Sequence, residues 1–205
     1  MRTEITNLDD LREVIGIPLP AALNKDRAAL VPEHIAWLTQ SPMCLVGTSA
    51  LDGSCDVSPK GDPAGLVAHV IDEHTIAVPE RKGNKRADGY RNILENPHVG
   101  LLFLVPGRGD TLRINGRATI LSDAPYFDEL IVKGHRPEIV VEVAIEQVFF
   151  HCSKAFLRSR LWDPETWDPE AVPSRALIAK SLERPDESLD ELEAYYGKAY
   201  SDGLY

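Results

Sequence analysis

The chain has 205 residues, of which 43% are hydrophobic, enough for one domain with appendages or for two small domains. Its formal net charge of −10 argues against a broad positive face for nucleic acid or membrane surfaces. The three cysteines form no CxxC pair, and no signal peptide or membrane-length apolar run is visible. We therefore expect a reduced, cytoplasmic protein without a disulfide framework or metal site.

The N-terminal part of the sequence predicts two helices. Asn7 can cap an amphipathic helix over 8–15, which Gly16 and Pro18 then end. A second helix is predicted over 26–39 from the spacing of its apolar residues. The side of this helix that faces the core would consist of Ala29, Leu30, Ile35 and Leu38.

The central part of the sequence changes to short β-prone runs separated by turn residues. These runs cover residues 43–50, 54–58, 66–71 and 75–79. Asp52-Gly53 lies between the first two, and this dipeptide is typical of a tight β-hairpin.

A helix and three longer strands are predicted next. The helix covers residues 84–95 and stops at Asn96-Pro97; its buried side would consist of Ala87, Tyr90, Ile93 and Leu94. The strands cover 98–106, 111–122 and 138–150, with a helix over 123–133 between the last two. In the second strand, apolar and small residues alternate with Arg113, Asn115, Arg117 and Thr119.

The C-terminal part predicts a short helix over 153–162, then a rigid loop in which Trp-Asp-Pro occurs twice. The tail that follows is acidic and helical, with a capping box at Ser188 and Glu191. Many short strands with inserted helices indicate a β-barrel of the α+β type rather than repeated βαβ units.

Several common kinds of active site are missing from the sequence. There is no GxGxxG after a strand, no GxxxxGK[ST] and no GxSxG. The six histidines show no pairing, and adjacent carboxylates fall on predicted helices, where solvated faces explain them. No catalytic residue can therefore be assigned.

Three segments remain as candidate contacts for an anion or an aromatic ring: 56–65, 80–86 with the sequence ERKGNKR, and 151–162. They could converge on one phosphorylated ligand, with Trp162 offering an aromatic surface. Alternatively, each could be an ordinary solvated turn or helix end, and composition alone leaves both interpretations open. A nucleic-acid patch on the ERKGNKR loop is less favoured because the rest of the chain is acidic.

The order of four phrases carries a family resemblance. VSPKGDPAG, VPERKGNKRADGYRNILENPHVGLLFLVPG, TLRINGRATI and FFHCSKAFLRSRLW resemble the pyridoxamine 5′-phosphate oxidase-like family of FMN-binding split β-barrels, in particular a bacterial branch of probable FMN-dependent enzymes. The resemblance covers about residues 25–175. It implies a mainly β (α+β) domain over 1–205, with an N-terminal helix in 1–24, flanking helices and an acidic helical tail in 176–205.

The resemblance also implies a cofactor and its phosphate site. In this family FMN lies between the two subunits of a homodimer, and basic residues after a central strand hold its phosphate. The residues that match this position are Arg81, Lys82, Asn84 and Arg86. A helix beginning near Asn84 would add amide donors, and Gly83 suits a close backbone approach or a positive φ.

The remaining contacts are implied by the same resemblance. The residues that match the segment along the ribityl chain and the isoalloxazine edge are Ser58, Pro59 and Lys60. The residues that fit the segment reaching the flavin of the partner subunit are Lys154, Arg158 and Trp162. Arg113 lies on the strand with which the oxidases contact substrate or cofactor, and a barrel-rim salt bridge is its alternative role.

The chain departs from the oxidases in two of their signatures. Asp-Val-Ser-Pro-Lys replaces their Arg-x-x-x-Leu-Lys, and their C-terminal Arg-Leu-x-Pro is missing. We therefore expect an FMN-dependent oxidoreductase that transfers hydride through flavin N5 to or from an unidentified small molecule. A non-catalytic flavin-binding or flavin-sensing protein is the alternative, and true pyridoxamine 5′-phosphate oxidation is less favoured.

Overall fold

The computed structural model describes residues 2–205, and its N-terminal part contains three helices, α1 (Leu8–Ile15), α2 (Pro20–Leu23) and α3 (Pro32–Leu38). The first helix is confirmed, because the Asn7 side chain accepts the Asp10 N–H and Gly16 ends the helix at φ 80°. Its apolar side is solvent-exposed, with no buried residue.

The predicted helix over 26–39 is wrong in its first half. The α3 helix begins at Pro32, which occupies the first helical turn, where a missing N–H does no harm. Arg27 instead forms an isolated antiparallel bridge with Val148. Leu30 and Leu38 are buried as predicted, but Ile35 is exposed, and Trp37 is buried in its place.

Seven strands form one antiparallel sheet in the order β2-β1-β5-β6-β7-β4-β3. The strands are β1 (Met43–Ser49), β2 (Cys55–Gly61), β3 (His69–Asp72), β4 (Thr75–Pro79), β5 (His98–Leu104), β6 (Thr111–Leu121) and β7 (Val140–His151). The β1–β2 hairpin is confirmed, with Gly53 at φ 86° in its turn. Strand β2 extends beyond its predicted end and includes Pro59. An edge strand tolerates proline because it has a neighbouring strand on one side only, so no N–H is needed on its other side.

The core lies on the face of the sheet formed by alternate residues of each strand. In β6, the predicted inward residues Leu112, Ile114 and Ala118 are buried. A bulge shifts the register between Asn115 and Gly116. A Cβ at Gly116 would overlap the Ala144 carbonyl oxygen on β7, so close contact between these strands requires glycine there.

The predicted helix over 123–133 is also wrong. Only a 3₁₀ turn forms there, Phe127–Leu130, and its two end residues pack with Ala77 and Val140 in a small separate cluster. Positive φ angles at Lys133 and Gly134 then reverse the chain, which an α-helix cannot accommodate.

The helix predicted over 84–95 begins four residues later, as α4 (Asp88–Glu95). Lys85 and Ala87 have φ angles of 60° and 62°, so the chain is left-handed at these residues and cannot yet be helical. Ile93 is buried as predicted, whereas Leu94 is 77% exposed.

The C-terminal part contains α5 (Lys154–Ser159), α6 (Arg175–Leu182), α7 (Leu189–Tyr195) and α8 (Lys198–Asp202). Each Trp-Asp-Pro sequence starts a 3₁₀ turn in which the aspartate accepts an N–H from two residues further on. The capping box at Ser188 and Glu191 is confirmed. Within residues 2–205, no helix has the length and apolar character that a membrane span needs.

Candidate functional site

A cavity of about 370 Å³ opens where the edge strand β2 and the end of β4 face helix α4. Apolar residues from five strands and from α4 line it, among them Val46, Val57, Val78, Leu101 and Val141. Its polar residues include Ser58, Lys60, Glu80, Asn84 and Arg86. The cavity thus combines an apolar floor with a polar edge that carries both cations and carboxylates.

Two further cavities continue along the ERKGNKR loop. They have volumes of about 260 and 590 Å³, and both are lined by Glu80, Arg81, Lys82 and Gly83. The smaller one also contacts Pro59 and Lys60 of β2, and the larger one extends to residues 135–139. Seven of the residues predicted from the sequence are therefore brought together here: Ser58, Pro59, Lys60, Arg81, Lys82, Asn84 and Arg86.

Arg81 has the most unusual environment in this region. Its Nε lies 2.6 Å from Asp62 Oδ2, and the two side chains are only 13% and 2% exposed. Both Nη1 and Nη2 are buried, and among the residues that the structure describes neither has a hydrogen-bond partner. Buried donors are rarely left unsatisfied, so these two nitrogens need an acceptor that the described residues do not supply.

Lys60, Glu80 and Tyr90 form a compact cluster that joins β2, β4 and α4. Lys60 Nζ lies 2.6 Å from Glu80 Oε2 and 2.9 Å from the Tyr90 hydroxyl, which itself donates to Glu80. Burial, reinforced by the Glu80 carboxylate, raises the pKa of Tyr90. The tyrosine therefore stays protonated, and the Lys60 ammonium is held at the cavity wall.

The turn between Arg81 and α4 differs from its prediction. Asn84 Oδ1 accepts the Arg86 N–H at 3.0 Å, and the Arg86 guanidinium, 77% exposed, pairs with Asp88. The expected helix start near Asn84 is wrong, so α4 adds no amide donors at that residue. The positive φ that was one expectation for Gly83 does not occur there; Lys85 and Ala87 adopt positive φ angles instead.

A close backbone approach occurs at Gly89 in the first turn of α4. A Cβ added there would lie 3.0 Å from Asp56 Oδ2 and 3.4 Å from the Ser58 hydroxyl. This glycine allows α4 to pack against β2 beside the first cavity.

Arg113 lies outside these cavities, on a different part of the sheet. Its Nε donates to Asn115 Oδ1 at 3.0 Å, and its guanidinium lies 5.4 Å from the ring centre of Phe149. His151 is nearby, and burial followed by the charges of Lys25 and Arg113 lowers its pKa. Arg113 thus belongs to a basic and aromatic cluster, and the barrel-rim salt bridge does not occur among its described contacts.

Lys154, Arg158 and Trp162 also lie outside the three cavities. The two cationic residues are exposed on α5. Trp162 Nε1 donates to the Arg108 carbonyl oxygen at 2.7 Å, and its ring stacks on Phe156 at 5.9 Å. Within one chain, this segment is separate from the ERKGNKR loop.

Four residues of the region carried no functional assignment from the sequence: Asp62, Glu80, Tyr90 and Tyr205. Asp62 and Glu80 lie inside segments 56–65 and 80–86, and acidic residues among these cations are the sequence signal for their pairing with Arg81 and Lys60. Tyr205 lies 143 positions from Asp62 in the chain, and no local pattern links the two. No group of three or more His, Cys, Asp or Glu in the described chain is arranged to hold a metal ion.

The curved seven-stranded antiparallel sheet with its flanking helices has the architecture of the split β-barrel expected from the sequence. Residues 30–152, more than half of the chain, match the family model described as pyridoxamine 5′-phosphate oxidase. The chain therefore belongs to this family, and the resemblance identified from the four phrases is confirmed. No curated protein matches the chain.

Several solved structures are similar to this chain, and the similarity covers most of the length of each of them. HupZ of Group A Streptococcus is 18% identical, with 59% of this chain and 93% of that chain covered and a TM-score of 0.48. A candidate pyridoxamine 5′-phosphate oxidase from Lactobacillus delbrueckii is 25% identical, with coverages of 61% and 98% and a TM-score of 0.48. An FMN-binding protein from Syntrophomonas wolfei is 15% identical, with coverages of 58% and 81% and a TM-score of 0.44.

Proposed function

We propose that this protein is an FMN-dependent oxidoreductase that holds the FMN phosphate at the ERKGNKR loop. The observation that carries the proposal is Arg81, whose Nη1 and Nη2 are buried without a partner among the described residues. A phosphate dianion supplies the acceptors that these two donors lack, and arginine binds such groups through paired hydrogen bonds. The adjacent cavities offer the space for the rest of the ligand.

The other residues of the site fit the same ligand. Lys82 is exposed beside Arg81 and adds positive charge, and Asn84 organises the turn through its bond to the Arg86 N–H. Ser58, Pro59 and Lys60 lie on an edge strand, where backbone groups have no second strand to pair with. In the proposal these three residues lie along the ribityl chain and ring, while Arg81, Lys82, Asn84 and Arg86 surround the phosphate.

Bound FMN supplies hydride acceptance and donation at its N5 atom, and the protein supplies position and electrostatics. Glu80 and Tyr90 fix the Lys60 ammonium at the cavity wall, so it would need little reorganisation to donate a hydrogen bond to a bound flavin ring. The apolar residues of the first cavity would exclude water from one side of a flavin ring bound there.

We also propose a homodimer with FMN at the subunit interface. These three cavities include none of Arg113, Lys154, Arg158 and Trp162, which favours contact of these residues with the ligand of a second copy. In this proposal, each chain is one domain with its core at about 25–175, an N-terminal helix in 1–24 and an acidic helical tail in 176–205.

The first experiment is the absorbance spectrum of the purified protein, before and after addition of FMN. We expect flavin absorbance that stays with the protein through gel filtration, at the elution volume of a dimer. Protein that is colourless and does not bind added FMN would refute the cofactor proposal.

Stopped-flow reduction of the bound flavin tests the enzymatic part of the proposal. NADH and NADPH are each mixed with the flavin-loaded protein, followed by a panel of quinone, nitro and aldehyde acceptors. Multiple turnovers with any donor and acceptor pair support an oxidoreductase. Stable flavin binding without reduction or reoxidation in any combination would indicate a flavin-binding protein that performs no catalysis.

A further inference from the structure

We infer that Asp62 and Tyr205 are positioning residues that hold the Arg81 guanidinium in the orientation in which it binds the ligand phosphate. The inference rests on the proposed function, because it assigns a role at the same site. It also gives the last residues of the acidic tail a place in that site, which no local sequence pattern indicates.

The two positioning residues form a hydrogen-bonded chain with Arg81. The Tyr205 hydroxyl donates to Asp62 Oδ1 at 2.7 Å, and Asp62 Oδ2 accepts from Arg81 Nε at 2.6 Å. Each carboxylate oxygen therefore has its own donor. Asp62 is itself fixed by the backbone, because its N–H donates to the Pro42 carbonyl oxygen at 3.1 Å beside β2.

This chain determines which nitrogens of Arg81 remain available. Asp62 occupies Nε alone, so the paired nitrogens Nη1 and Nη2 are left without a protein acceptor among the described residues. A free arginine side chain samples many rotamers and must be ordered when it binds an anion. An arginine already fixed at Nε loses less freedom on binding, and this preorganisation increases affinity.

Tyr205 is held against the site by contacts of its ring as well as its hydroxyl. The Lys133 ammonium lies 5.0 Å from the ring centre, and the His135 ring lies 6.2 Å away. Tyr205 lines both cavities that contain Arg81. The bond to Asp62, with a smaller effect of burial, raises the pKa of Tyr205, so the hydroxyl keeps its proton and remains a donor at neutral pH.

The same geometry admits an opposite role, in which Tyr205 obstructs the phosphate site. The two roles predict effects of opposite sign. If Tyr205 positions Arg81, removing its hydroxyl weakens binding of a phosphorylated ligand and leaves a ligand without phosphate unaffected. If it obstructs the site, the same change strengthens binding.

FMN and riboflavin form the matched pair of probes, because riboflavin lacks only the phosphate. The whole chain, freed of bound flavin, is titrated with each, and the ratio of the two dissociation constants is measured. The variants are Tyr205→Phe and Asp62→Asn. The control is Tyr200→Phe, an exposed tyrosine of the same segment that packs on Tyr195 and Tyr196.

We expect Asp62→Asn to weaken FMN binding about tenfold, because it removes the charge-assisted hydrogen bond to Arg81. Tyr205→Phe should weaken FMN binding about threefold, because it removes a more exposed hydrogen bond to Asp62. Riboflavin affinity should change less than about twofold in both variants, since the altered contacts affect only the binding of the phosphate by Arg81. The control should bind both ligands like the wild type. Tyr205→Phe alters a half-buried side chain, so its result stands even if Asp62→Asn folds poorly.

Three results would overturn the inference. Equal losses for FMN and riboflavin would indicate a general structural role, unchanged affinities would indicate no role, and tighter FMN binding by Tyr205→Phe would indicate obstruction. If the wild-type protein prefers FMN to riboflavin and both variants keep this preference, the inference is refuted and the proposed function stands. Wild-type protein that binds neither flavin refutes both.

Discussion

Replacing Arg81 with alanine removes the most buried cation of the ERKGNKR loop, and the structure allows its effect to be estimated. The side chain is 13% exposed, and two of its nitrogens have no acceptor among the described residues. A hydrogen bond to a charged group contributes about 1.5–3 kcal/mol, so the loss of even one of the two bonds should weaken FMN binding roughly 10- to 150-fold in Arg81→Ala.

Arg86→Ala is the matched comparison within the same loop. The Arg86 side chain is 77% exposed and already pairs with Asp88. Exposed ion pairs contribute about 0–1 kcal/mol, so this variant should lose no more than about fivefold in FMN affinity. If the two residues act independently, the double variant should show the product of the two factors.

The Arg81 variant needs a control for folding. Asp62 is 2% exposed, and without Arg81 its carboxylate would remain buried without a cation. Such uncompensated charges destabilise proteins by about 3–5 kcal/mol, so the free energy of unfolding must be measured by urea denaturation alongside binding. The double variant Arg81→Ala with Asp62→Asn removes the buried charge and should recover most of this stability, but not the FMN affinity.

Isothermal titration with FMN and riboflavin at constant ionic strength measures these effects. Arg81→Ala should lower affinity for FMN far more than for riboflavin. An Arg81→Ala protein that is folded and binds FMN like the wild type would show that the phosphate binds elsewhere. A larger loss from Arg86→Ala than from Arg81→Ala would contradict the argument from burial.

Three further predictions concern stability. Gly116→Ala should lower the free energy of unfolding, measured in urea, by about 3 kcal/mol, because the added Cβ overlaps the Ala144 carbonyl oxygen. The control is Gly47→Ala, whose Cβ would have its nearest contact at 3.5 Å and which should cost less than about 1 kcal/mol. Equal effects of the two substitutions would refute the argument. Burial lowers the pKa of His34 from 6.5, so this histidine is protonated in the unfolded state at a higher pH than in the folded state. The free energy of unfolding should therefore fall as the pH drops below 6.5. His34→Gln should flatten this dependence in urea titrations from pH 7 to about pH 5. Ser188→Ala removes a capping box and should speed amide exchange in α7 about fivefold, whereas unchanged exchange would mean that packing alone holds the helix.

The strands were predictable because their apolar alternation and turn residues are local properties. The alternation in β6 and the Asp52-Gly53 hairpin correspond to the structure at the level of individual residues. The start of α4 was not predictable, since Lys85 and Ala87 adopt positive φ angles that non-glycine residues rarely take. Surrounding contacts must stabilise this turn, and such contacts leave no local signal in the sequence.

The same distinction applies to the candidate site. Seven of its predicted residues lie along the three cavities, because β2 and the ERKGNKR loop carry them on neighbouring parts of the fold. The bond from Tyr205 to Asp62 joins residues 143 positions apart, so only the folded chain reveals it. Arg113 and Trp162 were grouped with the site by family resemblance, and in one chain they contact Phe149 and Arg108 instead.

The number of cations in the ERKGNKR loop is a weaker indicator of an anion site than the way those cations are paired. Arg86 is neutralised by Asp88, and Lys60 on the adjoining strand is neutralised by Glu80. Arg81 also has a carboxylate partner, but Asp62 satisfies only one of its three nitrogens. In the proposed site, a chain with net charge −10 would bind one phosphate through a buried, local cation, while its overall field repels extended polyanions.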